Sequence, residues 1–333
     1  MKKLISIVLL MVMTVTTMSI GVFAADDGQS APVAVKDLKA YSAYKSVALE
    51  WSGNGADTFD VYKNGNPNPI ARDVTTKASD GSGKFAYIAK TGKEGGSADT
   101  FYVIAKRNGL SSAKSNVVSK ASVNRMLYRI KFKKTRTLKS HDAGKVTTRF
   151  RKGTTLKANN FRFGKYIFDY KGHTYYVNYL SLKNFKAYYN KKTRYSNKEA
   201  EYFVNTSNVG SNTKNLIWAS LYTQRLYLLT GSKGHWKVTE LNYKGVKASN
   251  WGISSGMATM PSPGGFGLKI YKKARSSHGV RWWNYYHSQT SLHGKVGNQS
   301  FDRPRSGGCI RNPDKYARLM YERVPVGSRL IVY

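Results

Sequence analysis

The chain has 333 residues, of which 55 are Lys or Arg and 18 are Asp or Glu, giving a formal net charge of +37. This length exceeds the roughly 100 to 200 residues that one core accommodates, so two or three domains are expected. The single cysteine excludes an intramolecular disulfide, so these domains must be held together by their cores. The excess of positive charge favours polyanionic partners.

The first 24 residues have the pattern of a secretory signal. Lys2 and Lys3 precede an apolar run that starts at Leu4, and the run closes in small residues up to Ala24. This pattern predicts cleavage after Ala24 and a secreted protein with no membrane span after signal removal. A retained anchor is the alternative, since the run approaches the roughly 20 apolar residues of a membrane-spanning helix. Export, together with basic residues spread over the whole chain, argues against nucleic acid and favours anionic wall polymers as partners.

Residues 31–123 read as a β-sandwich. Short runs that alternate apolar and polar residues recur at intervals of about ten residues, as in Val47–Trp51, Phe59–Tyr62 and Phe101–Ala105. The pattern resembles a fibronectin type III domain. Nothing in this stretch indicates catalysis, so we interpret it as a spacer or binding module.

Residues 126–188 read as a small β-barrel. Short strands are separated by tight glycine turns, as in Gly153–Lys157 and the hairpin-like Tyr170–Val177. The stretch resembles the bacterial Src-homology-type barrels of wall enzymes. Wall binding and rigid spacing both remain open for it.

The chain from Asn190 to Lys214 is polar and is predicted to be a connection, in which Ala200–Val204 could form one added strand. A last domain then covers residues 213–333. It opens with two apolar strands around a polar turn, between Leu216 and Leu229. It closes with helical spacing after Pro313 and a final apolar strand.

The lone cysteine of the last domain, Cys309, carries the strongest chemical signal. A thiol becomes an effective nucleophile when an imidazole or a positive field favours its thiolate, and His293 lies sixteen residues earlier. The string Asn312-Pro313-Asp314 is typical of a helix start, so Cys309 is expected just before a helix N-terminus. A histidine and a cysteine at this spacing are weak evidence by themselves, because a free cysteine is more often inert packing.

The whole string is far more specific. His-Gly at residues 293–294, followed by Ser-x-Gly-Cys-Ile-Arg at residues 306–311, resembles the catalytic motif of the YkuD-type L,D-transpeptidases. The resemblance covers about residues 215–333, including the closing helix and strand. It excludes the first two modules and implies a β-rich catalytic domain with a short helix after the cysteine. With the sandwich and the small barrel read from the earlier stretches, the chain is expected to be a mostly β, multidomain protein.

The resemblance also implies roles for individual residues. Cys309 would be the nucleophile and His293 the base, oriented by the carbonyl of Gly294. The amides of Gly307, Gly308 and Cys309 would face the oxyanion. The family commonly has histidine where this chain has Gly307, which removes any contribution from a second imidazole there.

Three further residues are candidates for contact with substrate. Ser306 belongs to the motif itself. Arg311 would bind a substrate carboxylate or brace the loop. His287 lies six residues before His293 and is a rival base, because an even separation in one strand would put both imidazoles on one face.

The implied reaction is acyl transfer on peptidoglycan stem peptides at the cell wall, forming 3→3 cross-links through a thioester on the cysteine. No metal or organic cofactor is implied. Water as the acceptor would make the same site an L,D-carboxypeptidase. A catalytically inactive wall-binding scaffold is the alternative from another functional class.

Overall fold

The computed structural model describes residues 30–142, 144–158, 160–162, 164–255, 266–288, 290–298, 300–301, 303–304, 306 and 308–333. The predicted signal at residues 1–24 lies outside these residues. Of these described residues, 46% lie in strands and 8% in helices, which confirms the mostly β, multidomain prediction. In the described part of the chain, no helix is both long and apolar enough to cross a membrane.

The first module is built from eight strands in two antiparallel sheets. One sheet has the order β1-β2-β5, and the other has the order β4-β3-β6-β7 with β8 also paired to β6. Trp51, Phe59 and Phe101 come from both sheets and are fully buried in one shared core. This is the predicted sandwich. Its strands are β1 (Lys39–Ala43), β2 (Ser46–Trp51), β3 (Thr58–Lys63), β4 (Ala71–Val74), β5 (Phe85–Lys90), β6 (Asp99–Arg107), β7 (Leu110–Ser111) and β8 (Val118–Lys120).

The second module has an aromatic core, but its sheets do not close into a barrel. The strands are β9 (Leu127–Phe132), β10 (Arg136–Lys139), β11 (Thr147–Phe150), β12 (Thr155–Ala158), β13 (Asn160–Arg162), β14 (Lys165–Tyr170), β15 (His173–Asn178) and β16 (Leu182–Tyr188). They form separate sheets of order β12-β9-β16, β13-β14-β15 and β10-β11. Phe132, Phe150 and Phe168 pack together between them. The predicted closed barrel is therefore corrected to three small sheets around one core.

The polar connection contains a helix, α1 (Asn197–Thr206), where at most one added strand was expected. The helix starts with a reciprocal capping box. The hydroxyl of Ser196 accepts from the amide of Glu199 at 3.2 Å, and the Glu199 carboxylate accepts from the amide of Ser196 at 2.8 Å. Ala200, Phe203 and Val204 then recur at helical spacing and are fully buried.

Helix α1 joins the first module to the last domain. Its Glu199 carboxylate accepts from the amide of Ser42 at 3.2 Å and pairs with Lys120 at 2.7 Å, both in the first module. On the other side, the ring of Phe203 stacks on Trp218 of the last domain at 4.2 Å. The first module is therefore docked through a buried interface and is more than a loosely attached spacer.

In the described residues the last domain contains a two-stranded sheet, β20-β21, and two larger sheets that meet near the candidate site. The larger has the order β19-β18-β17-β28-β23 with β22 paired to β18, and the smaller has the order β24-β25-β26-β27. The elements are β17 (Asn215–Ser220), β18 (Arg225–Thr230), β19 (Lys237–Val238), β20 (Leu241–Tyr243), β21 (Val246–Ala248), β22 (Asn250–Gly252), β23 (Leu268–Lys269), β24 (Lys272–Ser277), β25 (Val280–His287), β26 (Thr290–His293), β27 (Ile310–Arg311), α2 (Asp314–Arg323) and β28 (Arg329–Val332). The predicted opening hairpin, closing helix and closing strand are confirmed.

Candidate active site

The site is built on two short parallel strands, β26 and β27. Their register pairs Leu292 with Ile310 and His293 with Arg311. Leu292 and Ile310 are fully buried and belong to the core on one face of the sheet. Because successive side chains alternate between faces, His293 and Arg311 lie together on the opposite face.

The candidate nucleophile comes immediately before strand β27. Cys309 is half-buried, and its Sγ lies 4.0 Å from the Oγ of Ser291. Ser291 is two residues before His293 in the same strand, so both side chains point to one face. The register therefore brings the thiol to the face of the sheet that carries the imidazole. Sequence analysis did not identify Ser291, because its role depends on strand pairing.

The imidazole of His293 is buried and held in one orientation. Its Nδ1 lies 2.7 Å from the carbonyl oxygen of Gly294. A carbonyl can only accept, so Nδ1 carries the proton and Nε2 keeps its lone pair. The ring also stacks on the indole of Trp283, with centroids 4.5 Å apart and planes 22° apart. The predicted orienting contact of Gly294 is present.

The electrostatics of the site keep His293 neutral. Burial is the main cause that lowers its pKa, from 6.5 to about 4, and the nearby positive charge of Arg311 lowers it further. The hydrogen bond to Gly294 and the carboxylate of Asp314 act to raise the pKa, but burial outweighs them. At neutral pH the imidazole is therefore unprotonated, which is the state a general base requires.

Gly294 is required by close packing. A methyl group on this residue would lie 2.4 Å from Oδ1 of Asp314 and 3.1 Å from the carbonyl oxygen of Arg281. The glycine amide donates to that Arg281 carbonyl at 2.9 Å, and the same Asp314 oxygen accepts from the amide of Lys295 at 2.8 Å. These contacts fix the loop whose carbonyl orients the imidazole.

Asn312 joins the two site strands to the rest of the domain. Its fully buried amide group donates to the carbonyl oxygens of His293 and Ile310, each at 3.1 Å. Its Oδ1 accepts from the indole nitrogen of Trp251 at 2.8 Å. The sequence pointed to Asn312 only as part of a helix start. The Asn-Pro pair carries no signal for this bridging role.

The loop before Cys309 is held by a chain of hydrogen bonds from the larger sheet. Buried Gln224 bonds the hydroxyl of Ser255 at 2.7 Å, and the carbonyl of Ser255 accepts from the amide of Ser306 at 3.0 Å. The hydroxyl of Ser306 in turn accepts from the amide of Gly308 at 3.1 Å. Ser306 thus has a bracing contact, and its contact with substrate stays a prediction.

This bracing corrects the expected oxyanion donors in one respect. The Gly308 amide is directed to the hydroxyl of Ser306 and is therefore engaged, whereas the motif implied that it faces the oxyanion. Gly307 lies outside the described residues. The role of the Cys309 amide stays a prediction.

His287 does not share the site face. It is exposed at the end of β25, and a turn separates it from β26, so the two histidines do not lie in one strand. The pairing of β25 with β26 also shifts register between Tyr285 and His287, where the ladder passes from Ser291 to Thr290. This β-bulge pairs His287 with Thr290, whose side chain faces away from that of Ser291. The premise that made His287 a rival base is therefore corrected.

The helix after the cysteine is present but does not start next to the thiol. Helix α2 begins at Asp314, with Pro313 as the N-cap, and strand β27 intervenes between it and Cys309. The influence of a helix dipole falls off within the first turn. We therefore attribute the positive field of the site to Arg311, whose backbone is fixed by two reciprocal bonds of 2.9 Å to Ser254.

Within the described part of the chain, no group of three or more His, Cys, Asp or Glu side chains is placed to hold a metal ion. The site described here consists of one thiol, one imidazole, one guanidinium and their supporting hydrogen bonds.

Comparison with known proteins finds similarity only among solved structures. No protein-family model matches the sequence, and no curated protein matches it. A structure from Clostridium acetobutylicum, described as a fused Zn-dependent amidase/peptidase/peptidoglycan-binding domain-containing protein, aligns at 20% identity with a TM-score of 0.33, covering 41% of this chain and 59% of that one.

Two L,D-transpeptidase structures are also similar. The one from Stackebrandtia nassauensis is 17% identical over 37% of this chain and 57% of its own, with a TM-score of 0.28. The one from Mycobacterium tuberculosis H37Rv is 10% identical over 91% of this chain and 100% of its own, with a TM-score of 0.29. The alignments thus span less than two thirds of the Clostridium and Stackebrandtia chains.

Proposed function

We propose that this chain is a peptidoglycan L,D-transpeptidase that works through a thioester on Cys309. One observation carries the proposal. The parallel register of β26 and β27 brings the thiol to the sheet face that holds a buried, neutral imidazole. A half-buried thiol near a base is the arrangement that nucleophilic acyl transfer requires.

In the proposed reaction, Nε2 of His293 takes the proton of Cys309 and the sulfur attacks the carbonyl of the third-position diamino acid of a tetrapeptide stem. The tetrahedral intermediate collapses, the bond to D-Ala breaks, and the imidazolium returns its proton to the leaving amine. A side-chain amine of a second stem then attacks the thioester. Its proton passes to the thiolate, and a 3→3 cross-link forms.

The electrostatics of the site suit these reaction steps. Arg311 lies close enough to help lower the pKa of His293, so the imidazole is free to accept the proton of the thiol. The Gly294 carbonyl accepts a hydrogen bond from Nδ1–H and so stabilises the imidazolium that forms during attack. Export after removal of residues 1–24 and association with the wall complete the proposal.

Intact-protein mass spectrometry after incubation with a disaccharide-tetrapeptide tests the proposal. We expect an adduct on the wild-type chain with the mass of the disaccharide-tripeptide acyl group, that is, the substrate minus D-Ala, and none on Cys309→Ala. His293→Ala should slow adduct formation by roughly 10²- to 10⁴-fold, the usual contribution of a positioned base. His287→Ala should react at the wild-type rate, because that imidazole is exposed and off the site face.

The fate of the adduct separates the alternatives. Release of a cross-linked dimer supports transpeptidation, whereas release of the disaccharide-tripeptide alone would make the enzyme an L,D-carboxypeptidase. An absence of adduct under rapid quench, with the thiol no more reactive than an unstructured cysteine peptide, would show an inactive scaffold.

A further inference from the structure

The outer face of one sheet in the second module carries three cations in a single row. In the sheet of order β12-β9-β16, the register pairs Arg129 directly with Lys157 on one side and with Lys186 on the other. All three side chains are exposed. Neighbouring strands lie roughly 4.8 Å apart, so the row holds three positive charges within about 10 Å.

This arrangement is unfavourable for the isolated protein. Like charges directly opposite each other on paired strands destabilise a sheet. No ion pair among the described residues uses Arg129, Lys157 or Lys186. A row that costs stability and has no acidic partner in the described part of the chain points to an anionic partner outside the protein.

The composition of the module strengthens the argument. Residues 126–188 contain 16 Lys or Arg and only 2 Asp or Glu. Both acidic residues are engaged elsewhere. Asp142 bonds Ser140, His173 and the amide of Thr174, and Asp169 accepts from the hydroxyl of Thr174. The first module, residues 31–123, has 13 basic and 8 acidic residues, so the second module carries the larger charge excess of the two in a shorter stretch.

The face lacks the features that bind nucleic acid bases. Single-stranded nucleic acids are held by cations together with aromatic rings on which bases stack. The large aromatic side chains of strand β9, Tyr128 and Phe132, point into the core, and only Tyr188 is exposed at the edge of the row. Two residues after Arg129, on the same exposed face of strand β9, lies another cation, Lys131.

We propose that the sheet face formed by Lys157, Arg129 and Lys186, with Lys131 beside it, binds a linear phosphodiester polymer that carries no bases, of the poly(glycerol phosphate) type. The row runs across the strands, so successive phosphates of an extended chain meet successive cations. The site is separate from Cys309 and does not depend on the proposed reaction.

The test measures binding of fluorescent poly(glycerol phosphate) to the full chain by anisotropy at several salt concentrations. In the row variant, Arg129, Lys157 and Lys186 are all changed to Gln. The control variant changes Lys36, Lys39 and Lys90 to Gln; these are exposed residues of the first module, and the same charge is lost.

We expect the row variant to weaken binding at least tenfold and to reduce the slope of log affinity against log salt by about two to three, since that slope counts phosphate contacts. The control should change affinity less than threefold. The melting temperature of the row variant should stay equal to that of the wild type or rise, because repulsion across the strands is removed.

Three results would overturn the proposal. Equal weakening in both variants would mean that only net charge matters. Tighter binding to a single-stranded oligonucleotide of equal phosphate number would make the face a nucleic acid site. A row effect seen with vesicles of anionic phospholipid, but not with the polymer, would make it a membrane-surface site.

Discussion

The carboxylate of Asp314 occupies the space that any side chain at residue 294 would need. Its Oδ1 would lie 2.4 Å from a methyl group there, well inside van der Waals contact. The first residue of helix α2 thus determines that the residue after the candidate base is a glycine. This contact connects the closing helix to the orientation of the imidazole.

We expect Gly294→Ala to lower the free energy of unfolding by about 1 to 3 kcal/mol, the usual cost of overpacking. It should also slow acylation of Cys309 in the protein that remains folded. The reason is that the displaced loop moves the carbonyl that holds Nδ1 of His293. Urea denaturation and adduct formation measure the two effects. Gly267→Ala is the control, because nothing lies within 4 Å of that position. Equal behaviour of the two variants would contradict the packing argument.

The buried imidazole of His293 should make stability depend on acid pH. Its pKa is about 4 in the folded chain and 6.5 as a free side chain. Between these values the unfolded chain binds more protons, so the free energy of unfolding falls as pH drops from about 6.5 to about 4, by about 3 kcal/mol in total, and then levels off.

Denaturant titrations of wild type and His293→Gln across this pH range measure the difference. The two curves should converge as pH falls, since only the wild type loses the contribution of the neutral imidazole. His287→Gln should track the wild type, because that side chain is exposed. Parallel curves for wild type and His293→Gln would mean that protonation of the imidazole does not lower the free energy of unfolding.

Asn312→Asp should destabilise the fold by roughly 2 to 4 kcal/mol at neutral pH. The aspartate keeps an oxygen for the indole of Trp251, but it places a buried acceptor against the carbonyls of His293 and Ile310. Asn298→Asp makes the same change at an exposed position and serves as the control. Similar unfolding midpoints for both variants would rule out the bridging role of Asn312.

Glu199→Ala should cost about 3 to 5 kcal/mol, because Lys120 and the amide of Ser42 lose their buried partner and helix α1 loses its capping box. Thermal unfolding should show whether the first module then melts separately from the last domain. Glu240→Ala, at an exposed acidic position, should have little effect. A loss no larger than in that control would mean that the first module is held by apolar contacts alone.

The sequence predicted features that depend on local patterns. The string around Cys309 pointed to the stretch that forms the candidate site, alternation indicated the sandwich, and the apolar runs from Leu216 to Leu229 indicated a hairpin. Each signal lies within a few consecutive residues. The helix at Asn197–Thr206 also had such a signal, the Ser196-x-x-Glu199 capping box, but the polar composition of the surrounding segment obscured it.

Features that depend on pairing between distant segments could not be predicted. The bulge that turns His287 away arises from the register of β25 against β26. The bond from the Gly308 amide to Ser306 depends on a loop conformation fixed by Ser255, some fifty residues earlier. The bridge made by Asn312 depends on Trp251. In each case the sequence gives residue types, and the tertiary fold decides which atoms meet.

Strand β27 is held from both sides, by β26 in its own sheet and by Ser254 next to the larger sheet. A slip of one residue would turn the thiol to the opposite face, and it would require both ladders to break at once. The position of the sulfur is therefore insulated from the exposed residues 295–298 that follow the base. Changes in that stretch should therefore leave the thiol on the same face of the sheet as the imidazole.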